Sequence, residues 1–224
     1  MTTALDRSAI DALRKSIPGE EFDYPLLMEA LRGYVSPRSK VTSLLKAGDL
    51  VRVKKGIYVF GPRHRRRPYS REILANLLYG PSCLSLEYAL HDHGLIPERV
   101  ETLTSVTTGR ARTFSTPVGV FTYARVPLGV FRLGLDRKEV EGGQGYLVAT
   151  PERALADKVY QDRGLSVASR KKMEGYLVKD LRLDVDRLRG MDPDIIDLCG
   201  KRYGSRKIRL LGAVIRGLKG NTHE

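Results

Sequence analysis

The sequence predicts an α+β chain: three short helices and a β-hairpin, then a mixed α/β portion that closes in helices. Three observations carry that expectation. Apolar residues recur at helical spacing before residue 48 and again after residue 150. Runs rich in Thr, Val, Phe and Tyr, punctuated by Gly and Pro, occupy residues 101–135 and 146–149. Helix-start signals stand where the pattern changes, at Asp23, Ser36-Pro37, Ser70 and Thr150-Pro151.

The first helix is expected over Leu5–Lys15, with Leu5, Ala9, Ala12 and Leu13 near one face and Ile17-Pro18-Gly19 ending it. Asp23 caps a second, with Leu26, Leu27, Ala30 and Leu31 as its stripe and Gly33 closing it. Ser36 and Pro37 start a third that runs to Ala47 and stops at Gly48. Leu50–Lys54, the Lys55-Gly56 turn and Ile57–Phe60 read as a hairpin. Three helices and a basic-tipped hairpin make a winged helix-turn-helix over residues 1–62. Pro62 and Pro68 bracket Arg63, His64, Arg65, Arg66 and Arg67, so 63–68 reads as a basic linker. The second domain, 69–224, begins with a helix capped by Ser70 and a Gly80-Pro81-Ser82 turn, then a helix from Leu84 to His93. Strands are expected at Thr102–Thr107, Arg112–Thr116, Val120–Val126, Val130–Leu133 and Tyr146–Ala149, with a loop at Gly142–Gly145. A helix from Thr150-Pro151 to Gln161 follows, and basic helical text dominates from about residue 165, ending in a stripe of Ile208, Leu211, Ile215 and Leu218.

Charge locates the expected function. The 224 residues carry a net charge of +13, and 42% are hydrophobic, enough for a real core. Residues 69–160 are neutral, with 10 basic and 10 acidic residues, while Ser36–Arg71 holds 11 basic residues against the single acid Asp49. Such a concentration attracts polyanions. On the third helix Val41, Leu44 and Leu45 share a buried face, which leaves Arg38, Ser39, Lys40, Thr42, Ser43 and Lys46 outward. Basic and hydroxyl side chains near a helix N-terminus suit the major groove of DNA. Arg52, Lys54 and Lys55 of the hairpin, with Arg65, Arg66 and Arg67, are expected along phosphates.

Other chemistries fit poorly. Gly80-Pro81-Ser82-Cys83-Leu84 lacks the second glycine of a nucleophile elbow. His91 and His93 lie two apart on an expected helix, and Gly142–Gly145 lacks the Lys-Ser/Thr of a phosphate loop. Asp136-Arg137-Lys138 is an acid-x-Lys match in turn-like text. Cys83 and Cys199 give neither a disulfide framework nor zinc spacing and read as buried. No apolar run approaches the ~20 residues that cross a bilayer, and the N-terminus lacks a signal peptide's apolar centre. The expectation is a cytoplasmic regulator with no cofactor, no metal, no membrane partner and no enzymatic activity.

Several runs carry a resemblance. Ser39-Lys40-Val41 through Gly56-Ile57-Tyr58, Tyr79-Gly80-Pro81-Ser82, Ser85-Leu86-Glu87-Tyr88-Ala89-Leu90, Gly94-Leu95-Ile96-Pro97-Glu98, Thr104-Ser105-Val106-Thr107 and Ala149-Thr150-Pro151-Glu152-Arg153-Ala154-Leu155 are similar to the AbiEi family of antitoxins over residues 20–160. The resemblance implies an antitoxin of a type IV toxin–antitoxin module. Such a protein represses its own operon through promoter inverted repeats, and its second domain counteracts a nucleotidyltransferase-like toxin. The Arg38–Lys46 helix face and the Arg52–Lys55 wing are the positions it carries over for double-stranded DNA. A basic interaction protein without sequence-specific DNA binding, and a nucleic-acid-processing enzyme, are the alternatives.

Overall fold

The structure, a computed structural model, describes residues 4–141 and 143–220, with side chains from Ser8 onward. Gly142 of the expected loop and the Leu5 side chain of the first stripe lie outside the described residues. The described residues form a mixed α+β structure with two sheets.

The first elements are α1 (Ala4–Ser16), β1 (Glu21–Asp23), α2 (Tyr24–Ala30), α3 (Pro37–Lys46), β2 (Leu50–Lys54) and β3 (Ile57–Phe60). Asp23 accepts the Leu26 N–H, so the expected cap of α2 forms at 3.0 Å. Ser36 stands at the N-cap of α3 but makes no such bond. Its hydroxyl donates to Ser39 Oγ at 2.8 Å instead, and Pro37 starts the helix by having no N–H to satisfy.

The small sheet has the order β1-β3-β2 and is antiparallel throughout. Side chains alternate across it. Leu50, Tyr58 and Phe60 join Ala9, Leu13, Ile17, Leu27, Leu31, Val41 and Leu44 in one core. Val53, Ile57 and Val59 face the other way and belong to the second core, with Ile73 and Leu78. The hairpin is thus buried on both faces, which is why β3 is apolar at every position.

Then come α4 (Arg71–Leu78), β4 (Ser82–Leu84), α5 (Leu86–Asp92), β5 (Leu103–Thr107), β6 (Arg112–Thr116), β7 (Gly119–Arg125), α6 (Leu128–Phe131), β8 (Leu135–Glu139), β9 (Gly145–Ala149) and α7 (Pro151–Gln161). The strand order is β6-β7-β5-β4-β9-β8, with β5/β7 and β4/β9 parallel. Three expectations are corrected. Leu84 belongs to a strand and not to the helix after it. Val130 lies in the helical turn α6 and not in a strand, because the carbonyls of Val130 and Leu133 both accept from the buried Arg153 guanidinium. Asp136-Arg137-Lys138 lies in β8, an edge strand whose charges suit its open side.

The chain closes with α8 (Arg170–Gly175), a π-helical turn (Tyr176–Asp180), α9 (Val185–Gly190), α10 (Pro193–Tyr203) and α11 (Arg206–Gly220). Ile208, Leu211 and Ile215 are buried as their stripe requires, and Leu218 packs partly against them. Gly204, at φ +63°, ends α10. Cys83 and Cys199 are free and buried. Burial pushes their thiols up to about 12 and about 11.

One polar cluster sits inside this core. Arg153 and Asp157, one helical turn apart, are fully buried and paired at 2.7 Å. Asp157 also accepts from Ser85 Oγ at 2.7 Å and from Tyr203 Oη at 2.5 Å. These bonds connect the start of α5, α6, α7 and α10. No helix among the described residues is long and apolar enough to cross a membrane.

Candidate nucleic-acid interface

Burying Val41 and Leu44 turns the rest of α3 outward. Arg38, Ser39, Thr42 and Lys46 are exposed, and Lys40 and Ser43 are half-buried beside them. No acid occurs in this helix. The Thr42 hydroxyl donates to Arg38 O at 3.1 Å, so its oxygen keeps acceptor capacity toward solvent. Lys40 Nζ stands 5.6 Å from the Tyr34 ring centroid. Tyr34, Val35, Ser36, Ser39, Lys40 and Ser43 line a shallow hollow along the first turns of the helix.

The hairpin divides its three cations. Arg52 is exposed and lies 5.9 Å from the Tyr58 ring, on the face that Leu50 and Tyr58 turn toward α3. Lys55 is exposed at the turn, where Gly56 adopts φ +92°. Lys54 goes elsewhere. A register shift between Arg52 and Lys54 turns it toward the large sheet. Its ammonium donates to Leu78 O at 2.8 Å and stands 4.0 Å from the Phe114 centroid. Burial, then the neighbouring Arg112, lowers its pKa.

Residues 63–68 are held by specific contacts. His64 O accepts from Arg14 Nε at 3.0 Å and from Arg14 Nη2. Arg14 also pairs with Glu20 at 2.6 Å and covers the Phe60 ring at 3.5 Å. Arg65 donates to Phe60 O at 2.9 Å and stacks 4.6 Å from the Tyr69 ring. The Arg66 N–H donates to Glu20 Oε1 while its side chain stays exposed. Arg67 is half-buried and faces Glu21. The structure therefore brings Arg38, Ser39, Lys40, Thr42, Ser43 and Lys46 together on α3, with Arg52 and Lys55 on the hairpin. It directs Lys54 and Arg65 into internal contacts.

The electrostatics of this face depend on where its acids go. Asp49 is fully buried, and its Oδ1 lies 2.7 Å from His64 Nε2. Glu20 and Glu21 are buried too, against Arg14 and the Ser70 N–H. The only acid between Ser36 and Arg71 is thus turned inward, and the exposed charge there is cationic. That withdrawal has no signal in the linear sequence, because Asp49 and His64 stand fifteen residues apart. The same holds for Arg112, which sits in a charge-neutral stretch and reaches Lys54 only through the fold.

Among the described residues no group of three or more His, Cys, Asp or Glu could hold a metal ion. His93 lies 2.8 Å from Ala149 O, Asp92 pairs with Lys138 at 2.6 Å, and Asp136 accepts the Arg137 N–H.

No protein-family model and no curated protein matches the chain. Among solved structures it is similar to the crystal structure of the RV2827C protein from Mycobacterium tuberculosis. The TM-score is 0.55 at 16% identity, over 100% of this chain and 83% of that one. Likeness at that identity concerns the fold alone.

Proposed function

We propose that the chain is a sequence-specific DNA-binding repressor whose first 62 residues form a winged helix-turn-helix, with α3 as the recognition helix. One observation carries this reading: α3 presents Arg38, Ser39, Thr42 and Lys46 on an exposed face without an acid, while Asp49 is buried against His64. Arginine and lysine match guanine edges, hydroxyls reach bases or phosphates, and the helix is narrow enough for the major groove. Arg52 and Lys55 supply the flanking phosphate contacts. Lys54 and Arg65, both engaged inside the protein, are left out of the DNA-contacting set. The resemblance to the AbiEi antitoxins supports the wider reading: a repressor of its own operon in a type IV toxin–antitoxin module. Its partner would be a nucleotidyltransferase-like toxin, counteracted through residues 69–224.

The experiment is binding of the full chain to a labelled duplex from its own upstream region and to a shuffled duplex, across a salt series. The repressor reading expects preference for the upstream duplex and an affinity that falls by about 0.9 log units per log of salt for each phosphate contacted. Equal affinity for both duplexes at every salt concentration would leave a basic interaction protein without sequence-specific binding.

A further inference from the structure

The basic surface does not end at the hairpin tip. Arg112 and Phe114 are two residues apart on β6, so their side chains lie on one face of that strand. Lys54 Nζ stands over the Phe114 ring, and the Arg112 guanidinium lies 5.6 Å from the Tyr79 ring. The two rings are 6.1 Å apart, edge to face. Lys54 and Arg112 are therefore neighbours on one aromatic platform, where Arg112 adds to the lowering of the Lys54 pKa by burial. No ion pair among the described residues involves Lys54, Arg110 or Arg112.

The turn between β5 and β6, which carries Arg110 and leads into Arg112 at the start of β6, is built firmly. The Gly109 N–H donates to Thr107 Oγ1 at 3.1 Å, and Thr107 Oγ1 donates to Pro81 O at 2.8 Å. A Cβ on Gly109 would stand 2.5 Å from the Tyr79 hydroxyl, so a larger residue there would have to displace the Tyr79 side chain or the turn. Arg110, Ala111, Arg112 and Thr113 are all exposed. They offer charge and a hydroxyl but no large apolar side chain, which suits a phosphate backbone better than the buried centre of a protein interface. Arg110 and Arg112 are exposed on this fixed support and form no ion pair among the described residues, so their guanidinium groups are open to an anion at the surface.

We propose that the β5–β6 turn, through Arg110 and Arg112, is a second DNA-backbone contact that takes phosphates beyond those met at Lys55. The proposal rests on the DNA-binding reading above. It makes the second portion of the chain part of the DNA-binding surface.

The test uses the full chain with labelled upstream and shuffled duplexes over a salt series. The double variant Arg110→Gln with Arg112→Gln should weaken both duplexes by the same factor. It should also lower the salt slope by about 0.9 for each phosphate lost. Arg112→Lys, which keeps the charge, should retain the wild-type slope. An unchanged slope in the double variant overturns the proposal. So does an equal loss for Arg112→Lys and Arg112→Gln, which would make Arg112 a packing residue on Tyr79. The α3 variant Arg38→Ala with Lys46→Ala separates the two readings. If it binds weakly while the turn variant binds as wild type, only the turn contact fails. If it too binds as wild type, the recognition-helix reading fails as well.

Discussion

The imidazole of His64 lies 2.7 Å from the carboxylate of Asp49, and this contact joins the end of α3 to the segment that follows the hairpin. Asp49 has no exposed surface. Its N–H donates to Leu44 O at 3.0 Å, and its own carbonyl accepts the Gly61 N–H at 2.7 Å. The residue that would otherwise offset the positive face is thus a structural bracket. Its removal from the surface and the fixing of α3 against the hairpin are the same event.

His64→Ala deprives a buried carboxylate of one donor. Leaving such a group short of a hydrogen bond costs about 1–3 kcal/mol. Urea denaturation should show that loss, while the salt slope of DNA binding stays at the wild-type value because no surface cation is removed. A stability equal to wild type would show that other donors hold Asp49 without His64.

Gly61→Ala tests the same bracket by crowding it. A Cβ on Gly61 would overlap the carbonyl oxygen of Gly48 and crowd the backbone of Asp49, and backbone atoms cannot swing aside as a flexible side chain can. Overpacking of this kind costs about 1–3 kcal/mol. The thermal midpoint should fall, and a midpoint unchanged from wild type would mean that the turn after α3 shifts freely.

Helices α2, α4 and α7 were legible because each has apolar residues at helical spacing and a capping side chain. Asp23, Ser70 and Thr150 each accept an N–H at the start of α2, α4 and α7. Three-residue strands such as Glu21–Asp23 and Ser82–Leu84 carry too little alternation to be read. Val130–Leu133 looks like a strand by composition, but Arg153 gathers its carbonyls from below, and no local signal announces a partner twenty residues away. For the candidate site, the density of cations was visible and their direction was not. Lys54 and Lys55 are adjacent and chemically identical, and a register shift in β2 sends the first inward and leaves the second exposed.

That divergence yields opposite phenotypes for two neighbouring lysines. Lys55→Ala should lower the salt slope by about 0.9 and weaken the upstream and shuffled duplexes alike. Lys54→Ala removes the bond to Leu78 O and the contact with Phe114, so it should cost stability instead, about 0.5–2 kcal/mol by the ring contact. A slope lost equally in both variants would mean that Lys54 leaves its internal partners to meet DNA.

Tyr203→Phe probes the buried cluster without changing its volume. The phenol donates to Asp157 at 2.5 Å, alongside Arg153 and Ser85. Hydrogen bonds to charged groups are worth about 1.5–3 kcal/mol, so the variant should lose that much in urea. Asp157→Ala should lose more, about 3–5 kcal/mol, because it leaves the Arg153 guanidinium buried without its counter-charge. If the two variants are equally mild, the cluster is not what connects α10 to α7.

Glu21 should make part of the protein's stability depend on pH. The residue is buried at the junction of β1 with the start of α4, and its carboxylate accepts the Ser70 N–H. Burial raises its pKa above the ordinary value of 4.5; the Ser70 N–H and Arg67 oppose the rise and Glu20 adds to it. The folded chain therefore holds this proton more tightly than the unfolded chain does. The contribution to stability is fully present below about pH 4.5 and is lost as pH rises through the folded pKa, the reverse of a carboxylate stabilised by a salt bridge. Glu21→Gln cannot ionise and still offers an amide oxygen to Ser70. The difference in unfolding free energy between variant and wild type should accordingly shift in favour of the variant as pH rises from about 4 to about 8. A difference that stays constant over that range would show that Glu21 titrates alike in both states and that its burial is relieved by groups other than Ser70 and Arg67.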